Sequence, residues 1–323
     1  MRPEPGLANE AAAMHPGGSA HWSSEPEHGS AAALGLMSWV AMACGRRVAR
    51  AVLHPVTLYF LLTAHAARRH SRRYLGRALA RPPGWADLYR HFHAFASTLL
   101  DRVYLLRAGL ASFDTTVSGQ GVVDEALAEG RGAFLLGAHV GSFEALHAVS
   151  RARAGLRVAM VMYPDNARLV NAALQAIAPG HHTDIIALGR MDAMLAVRDW
   201  LDGGGLAGLL GDRSLPSESA RAKLVSLPFL GHPAAFSDAP FRLAELLRRR
   251  VVFMAALYGG GARYEVRFEP LADFTERAAD TAARERRIRD AVLAYTARLE
   301  ALCRERPYNW FNFHDFWHED PAP

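Results

Sequence analysis

A histidine and a glutamate five residues apart, His139 and Glu144, have the residue types and spacing needed for acid–base chemistry. An imidazole exchanges protons near neutral pH, and a carboxylate on one ring nitrogen leaves the other free as a base. On one continuous helix a five-residue step turns the side chains about 140° apart. They therefore meet only if His139 lies in a loop and Glu144 one turn inside the helix that follows. On spacing alone, a strand-end histidine beside an unrelated surface glutamate remains the alternative.

The residues around this pair predict a strand, a loop and a helix in that order. Residues 133–138 form a short apolar run with small flanking residues, which is typical of a buried parallel strand. Gly141 and Ser142 open a predicted helix that contains Glu144 and runs to about Arg153. In α/β folds, ligands bind where such a strand end faces a helix. The local pattern therefore favours a functional site.

Strands and helices alternate along the rest of the chain at the spacing expected of a parallel sheet covered on both faces. Two late apolar runs predict a hairpin with Gly259-Gly260-Gly261 at its turn. The predicted fold class is therefore α/β, with a mostly parallel sheet flanked by helices. Further strands are predicted at residues 158–162, 183–187, 206–211, 251–257 and 264–268, and helices at 85–110, 122–129, 167–177, 190–201 and 279–304.

A second group of polar residues follows the strand predicted at residues 206–211. Asp212 and Arg213 come directly after it, and strand ends on one edge of a parallel sheet lie close together, so both are expected near His139. An arginine there can bind a substrate phosphate through two hydrogen bonds or stabilise developing negative charge. A structural Asp–Arg pair that fixes the loop is the alternative. Arg190, at the end of the third strand, is the other candidate for substrate binding.

Four motifs follow one another along the chain, namely His139-x4-Glu144, Gly211-Asp212-Arg213, Leu227-Pro228-Phe229-Leu230-Gly231 and Pro307-Tyr308-Asn309-Trp310-Phe311. In this order they resemble the lysophospholipid acyltransferase-like superfamily, in particular its late acyltransferases of lipid A biosynthesis. The resemblance covers roughly residues 35–317. It implies a glycerolipid acyltransferase-like α/β fold with a His-x4-Glu general base. The implied function is transfer of a fatty acyl chain to a lipid or glycolipid, with lipid A as one candidate acceptor.

The reaction implied by the resemblance is direct transfer from a thioester. His139, oriented by Glu144, removes a proton from an acceptor hydroxyl or amine, which attacks the acyl thioester of acyl carrier protein or coenzyme A. Backbone N–H groups near Gly141, or the arginines, stabilise the oxyanion. No covalent acyl-enzyme, cofactor or metal site is expected. The identity of the acceptor stays open between lipid A, another glycolipid and a polyene lipid, because Asp212-Arg213 replaces the family's usual Asp-Gln and a clean N-terminal spanning helix is missing.

The resemblance also implies substrate contacts outside the first motif. Phe229 lies in a segment that borders the acyl pocket in the family, although ordinary core packing explains its apolar neighbours equally well. This segment belongs to a long loop predicted at residues 214–236. The run Arg190-Met191-Asp192 is similar to an arginine–acid pair of the lipid A enzymes, which supports Arg190 as a substrate-binding residue.

The N-terminal third predicts helices with basic flanks. Residues 1–30 are rich in Gly, Pro, Ser, Ala, Glu and His, lack a signal-peptide pattern and are expected to form a disordered tail. The apolar runs after them are shorter or more interrupted than the about 20 residues of a membrane span. Two interfacial helices fit better, within a helical membrane-associating region at residues 31–112, and family precedent places this region on the cytoplasmic face of the inner membrane. A buried helical hairpin is the alternative, and residues 113–323 are assigned to the α/β acyltransferase domain.

Composition limits the other possibilities. The 323 residues, half of them apolar, suffice for one large α/β domain or two small ones. The formal charge is +5, and Lys223 is the single lysine, a bias that suits anionic membranes and phosphates but also follows from a GC-rich genome. Cys44 and Cys303 are too few for a disulfide framework and fit a reducing compartment. The sequence shows no phosphate-binding loop, and no nucleic-acid partner is expected.

Two other function classes remain open at this point. A non-catalytic lipid-binding or membrane-docking protein can use the same scaffold, although the His139–Glu144 pair favours an enzyme. A soluble α/β hydrolase is disfavoured because no Gly-x-Ser-x-Gly nucleophile elbow is present in the sequence.

Two C-terminal segments also have alternative interpretations. Arginines of the helix predicted at 279–304 either form a solvated face or bind an acidic acyl carrier protein. The aromatic stretch at 308–317 forms either an interfacial belt or a clamp over the sheet.

Overall fold

A computed structural model of the protein describes residues 31–152, 156–162, 184–188, 191–213 and 223–318, without the side chains of residues 31–44 and Met191. Arg190, the tail at residues 1–30, the helix at 167–177 and the first part of the loop predicted at 214–236 lie outside the described residues.

The described part contains helices and strands in alternation, after an N-terminal run of helices. The helices are α1 (Ala31–Thr63), α2 (His65–Ala78), α3 (Trp85–Ala108), α4 (Gln120–Ala128), α5 (Phe143–Ala152), α6 (Met191–Asp202), α7 (Ala239–Leu247) and α8 (Thr281–Glu305). The strands are β1 (Asp114–Ser118), β2 (Ala133–Gly137), β3 (Val158–Met162), β4 (Asp184–Ala187), β5 (Leu206–Leu210), β6 (Leu224–Phe229), β7 (His232–Ser237), β8 (Arg250–Tyr258) and β9 (Arg263–Asp273).

Seven of these strands form one sheet in the order β1-β9-β8-β2-β5-β3-β4. Strands β8, β2, β5, β3 and β4 run parallel to one another. Strand β9 pairs antiparallel with β8, and β1 lies parallel to β9 at the edge. The predicted α/β class with a mostly parallel sheet is therefore confirmed, as is the β8–β9 hairpin.

Two parts of the strand arrangement differ from the prediction. The edge strand β1, with the sequence Asp-Thr-Thr-Val-Ser, has no apolar run and was not predicted. Residues 224–237 form the antiparallel hairpin β6–β7 rather than a continuation of the loop predicted at 214–236. Its turn consists of Leu230 (φ 51°) and Gly231 (φ 82°), the positive-φ pair of a type I′ turn. A leucine at the first turn position and prolines in both strands hide this hairpin from sequence patterns.

The hydrophobic core lies on both faces of the sheet, because the central strands are buried on both sides. On one face Phe134 and Leu136 pack in a cluster with Tyr295 of α8, and on the other Leu135 packs in a cluster with Leu146 of α5. The N-terminal helices belong to this core as well, since Leu61, Tyr74, Leu75, Leu88 and Phe92 lie in the same cluster as Phe134.

Helix α1 bends at Gly45, whose backbone is not helical (φ 77°), and its second half is fixed to the body of the protein. Arg46 donates to both carboxylate oxygens of Asp101 on α3 (2.9 and 3.1 Å), and Asp101 also accepts a hydrogen bond from Tyr264 of β9 (3.0 Å). In the described part of the chain, we find no helix whose length and apolar character would let it cross a membrane.

Candidate active site

The neighbouring strands β2 and β5 bring two polar residues to the same edge of the sheet. Gly137 and Leu210 are opposite each other in the register, and the N–H of Gly211 donates to the carbonyl oxygen of Gly137 (2.9 Å). His139 and Asp212 each follow that register pair by two residues. The structure therefore places both side chains at the carboxyl edge of two adjacent parallel strands, where α/β folds bind ligands.

Asp212 contacts His139 through both of its carboxylate oxygens. Nδ1 of His139 lies 2.8 Å from Oδ1, and the backbone N–H of His139 donates to Oδ2 (3.0 Å). The indole N–H of Trp310 also donates to Oδ2 (2.8 Å). Because an ionised carboxylate only accepts hydrogen bonds, these contacts assign the ring hydrogen to Nδ1. In the neutral ring Nε2 then carries no hydrogen and can accept a proton, and the His139 side chain is 32% exposed.

Asp212 is ionised although it is only 3% exposed. Burial alone raises the pKa of a carboxyl group, but here the charge of His139 and its hydrogen bond, the charge of Arg213 and the Trp310 donor outweigh it. Together they hold the pKa of Asp212 well below its ordinary range. Since the pKa in the folded state is depressed, this carboxylate stabilises the fold at neutral pH, and the contribution is lost as the pH falls below the ordinary carboxyl range.

Glu144, predicted to orient His139, lies in the first turn of α5 with its carboxylate directed to α3. Its Oε1 lies 2.7 Å from Nε of Arg102, and its Oε2 accepts a hydrogen bond from the Ser142 hydroxyl (3.2 Å). Within the described residues the carboxylate on the imidazole belongs to Asp212, so the predicted His139–Glu144 contact is corrected to His139–Asp212. The reason is the strand register, which sets Asp212 level with His139. A catalytic role for Glu144 remains a prediction.

The loop after β2 is held in place by main-chain hydrogen bonds. The N–H of Gly141 donates to the carbonyl of Asn309, and that of Ser142 donates to the carbonyl of Ala256, both at 2.9 Å. Gly141 has φ +69°, and a Cβ there would overlap the Ala256 carbonyl oxygen, so the position requires glycine. The N–H groups of Gly141 and Ser142 are therefore already used, which leaves the predicted oxyanion role to the arginines. Of these, Arg213 lies among the described residues.

Arg213 is exposed beside the His139–Asp212 pair. Among the described residues its guanidinium takes part in no hydrogen bond or ion pair, so the predicted structural Asp–Arg pair is not formed by direct contact. The positive charge of Arg213 also acts on His314 of the C-terminal segment. The pKa of His314 is lowered to about 3, mainly by burial and secondly by the charge of Arg213. His314 is therefore neutral, and Arg213, Asp212, His139 and His314 form one electrostatically coupled group.

The C-terminal aromatic stretch is a clamp over the sheet. The N–H of Phe311 donates to the carbonyl of His139 (2.9 Å), and Trp310 pairs with Val140 in a short antiparallel bridge. Trp310 and His314 were not predicted as site residues, because their signal, polar atoms inside an aromatic run, also fits plain packing. Of the two predicted alternatives, the clamp describes the observed contacts of this stretch.

Phe229, predicted to contact the acyl chain, is fully buried next to Trp310. The two rings pack edge to face with centroids 5.4 Å apart, and Tyr74 and Phe316 pack on Trp310 at 4.9 and 5.0 Å. Phe229 therefore supports the indole that holds Asp212. A chain can reach Phe229 only if this aromatic cluster opens.

The arginines of α8 mostly have partners within the chain, which differs from both the solvated face and the free docking face that the sequence left open. The ion pairs are Arg284–Glu245 (2.6 Å), Arg298–Glu269 (3.1 Å) and Arg304–Glu300 (2.8 Å). We find no group of His, Cys, Asp or Glu side chains in the described ranges that could hold a metal ion.

In this mostly parallel α/β sheet, a histidine held by a buried aspartate lies at the carboxyl edge of two central strands, a geometry that suits an imidazole acting as a base. The model of the bacterial lipid A biosynthesis acyltransferase family matches residues 92–319. The chain belongs to this family, and it is therefore an acyltransferase of the class that acts on lipid A-like acceptors. The comparison with curated proteins finds no match. The matched range includes His139, Glu144, Arg190, Asp212, Arg213, Phe229 and Trp310.

Trp310→Phe is expected to lower acyl transfer about tenfold, because it removes one of three hydrogen bonds to an ionised carboxylate while keeping most of the aromatic packing. The matched control is Trp317→Phe in the same cluster, because the Trp317 indole N–H has no hydrogen-bond partner among the described residues. Steady-state acyl transfer and thermal unfolding of both variants provide the measurement. Equal losses in the two variants would show that packing, not the Trp310 hydrogen bond, is what matters.

Proposed function

We propose that this protein is a membrane-associated acyltransferase that moves a fatty acyl chain from a thioester, on acyl carrier protein or coenzyme A, to a hydroxyl or amine of a lipid A-like glycolipid. The observation that carries the proposal is the 2.8 Å contact between His139 Nδ1 and the buried Asp212, with Nε2 open. In this proposal residues 31–112 associate with the cytoplasmic face of the inner membrane, and residues 113–323 carry out the transfer.

His139 acts as the general base in the first step. Nε2 takes the proton of the acceptor hydroxyl or amine while the acceptor atom bonds to the thioester carbonyl carbon, and the carbonyl π electrons move onto oxygen. Asp212 stays ionised and stabilises the imidazolium that forms. Arg213, whose guanidinium makes no hydrogen bond or ion pair with the described residues, stabilises the oxyanion.

Collapse of the tetrahedral intermediate completes the transfer. The carbonyl re-forms, the carbon–sulfur bond breaks, and the thiolate leaves with the proton that His139 holds on Nε2. No covalent acyl-enzyme is required, since the acceptor atom attacks the thioester carbonyl carbon directly. The histidine is neutral again at the end of the cycle.

The other predicted site residues keep proposed roles. Glu144, through Ser142 and Arg102, fixes the start of α5 against α3 and so holds the loop that carries His139. Arg190 and Phe229 are proposed to contact substrate, Arg190 through acceptor phosphate and Phe229 through the acyl chain once the Trp310 cluster opens.

Product analysis tests this function directly. Purified full-length protein in detergent micelles is given an under-acylated lipid A precursor with either acyl carrier protein thioester or acyl-CoA, and thiol release and lipid mass are followed together. We expect one thiol released for each lipid that gains one acyl chain. Thiol release without acylated lipid would indicate a hydrolase, and lipid binding without thiol release would indicate the non-catalytic alternative.

Arg213→Ala is expected to lower kcat about 10–100-fold, since it removes the charge that faces the oxyanion. The loss is smaller than for a buried donor because Arg213 is exposed to solvent. Arg213→Lys should keep part of the rate that Arg213→Ala loses. Arg289→Ala, which removes an exposed arginine on α8, is the control and should keep the wild-type rate. A raised KM with unchanged kcat would assign Arg213 to ground-state binding of substrate.

A further inference from the structure

The second half of α1, residues 46–63, has apolar side chains on both of its long faces. One face packs against the body of the protein through Ala49, Leu53 and Leu61, which are at most 2% exposed. The other face is turned to solvent, although helices on the surface of soluble proteins normally present polar residues there. Its exposed members are Val48 (47%), Leu58 (49%), Tyr59 (61%) and Leu62 (51%).

Trp85, at the start of α3, extends this apolar surface and is 56% exposed. Arg68 links it to the end of α1, because its guanidinium lies 5.7 Å from the Trp85 ring centroid and donates to the carbonyl oxygens of Leu61 and Leu62 (2.6 and 2.9 Å). Arg72 lies over the same ring at 6.0 Å. We call Leu58, Tyr59, Leu62 and Trp85 the apolar ridge.

The charge of the surrounding segment has one sign. Residues 31–86 contain nine arginines and no aspartate or glutamate. Four of these arginines form ion pairs with carboxylates outside the segment, namely Arg46, Arg50, Arg73 and Arg81. Arg68 and Arg72 stand directly beside the ridge through their contacts with Trp85. Leucine, tyrosine and tryptophan side chains beside the cations of Arg68 and Arg72 match the interface of an anionic bilayer, where aromatic rings lie at the headgroup level and arginines bind phosphate.

We propose that the apolar ridge inserts into the interfacial region of an anionic phospholipid bilayer and lays the helices between residues 46 and 86 on the membrane surface. This deepens the proposed membrane association and is independent of the chemistry at His139. Helix α2 connects the ridge with the active site, since Tyr74, two residues beyond Arg72, packs edge to face on Trp310 at 4.9 Å.

Vesicle flotation of the full-length protein tests the ridge. The ridge variant Leu58→Ser/Tyr59→Ser/Leu62→Ser is compared with the wild type on vesicles of phosphatidylcholine alone and with about one third phosphatidylglycerol. The matched control, Leu224→Ser/Leu246→Ser/Leu293→Ser, changes three leucines that are 49%, 55% and 42% exposed elsewhere on the surface. We expect the wild type and the control to bind the anionic vesicles, less strongly at high salt, and the ridge variant to bind at least about tenfold more weakly.

The outcomes separate this inference from the proposed function. The ridge variant should keep its thermal unfolding temperature and its acyl transfer in detergent micelles, and lose transfer on vesicles. The proposal would be wrong if the wild type did not bind anionic vesicles, or if the ridge variant bound them as strongly as the wild type. The proposal would also be wrong if the wild type were a dimer and the ridge variant a monomer, because the ridge would then be a contact between two copies of the chain. If vesicle-bound wild type did not transfer acyl chains, the proposed function would be wrong, but the membrane-binding role of the apolar ridge would still hold.

Discussion

His139→Ala is expected to lower acyl transfer about 10⁴-fold, the upper part of the range that general acid–base groups contribute. Nε2 of His139 is the base in the proposed first step, and its neighbours Asp212 and Arg213 cannot replace it. Asp212 is buried and already accepts three hydrogen bonds, and Arg213 is a cation. Initial rates of thiol release and of lipid acylation, measured at saturating substrate, give the loss in kcat.

The controls for this variant separate chemistry from folding. His232→Ala changes an exposed histidine on the β6–β7 hairpin and should keep the wild-type rate. Free imidazole should restore part of the activity of His139→Ala, because the removed ring leaves space beside an intact Asp212. Transfer at the wild-type rate in His139→Ala would exclude the proposed base.

Local sequence patterns were sufficient for most of the fold. The apolar runs at residues 133–138 and 206–211 predict β2 and β5 to within one residue, because central parallel strands must be apolar on both faces. The two misses among the strands have local causes. Strand β1 is a polar edge strand, and the β6–β7 hairpin turns at Leu230-Gly231, where a leucine occupies a position that favours Asn, Asp or Gly.

The site was only partly accessible from the sequence, because its contacts are long-range. Spacing favours a partner for His139 on the next helix, and Glu144 is the one carboxylate that local spacing supplies. The observed partner, Asp212, lies 73 residues away, and the donor that fixes it, Trp310, lies 98 residues beyond that. Which carboxylate meets the imidazole depends on the register of β2 against β5, which no local pattern reports.

That register also explains why Asp212 is the better placed of the two carboxylates. It sits at the same level of the sheet as His139, it bonds both the ring and the backbone of that residue, and Trp310 holds it from a third side. Glu144 is instead engaged by Arg102, a cation on another helix. A carboxylate that is held on three sides orients the imidazole with little loss of entropy, which is what a general base requires.

Asp212→Asn is therefore expected to lower kcat about 10³-fold, within the range that loss of a general base costs. The amide side chain has nearly the same shape, but its NH₂ group can donate to Nδ1 and stabilise the tautomer that carries hydrogen on Nε2. That tautomer cannot accept the acceptor proton, and the imidazolium also loses its adjacent negative charge. Rates of acyl transfer and unfolding temperature, measured on the same samples, separate a chemical effect from a stability effect.

Glu144→Gln is the matched variant, because it neutralises the other candidate carboxylate without changing its shape. We expect it to break the Arg102 ion pair, whose two side chains are 30% and 14% exposed, and to lower kcat less than Asp212→Asn does. Its effect should include a lower unfolding temperature, since Glu144 ties α5 to α3. A larger loss of kcat for Glu144→Gln than for Asp212→Asn, at unchanged stability, would transfer the orienting role to Glu144. The imidazole would then have to turn from β5 toward α5 when substrate binds.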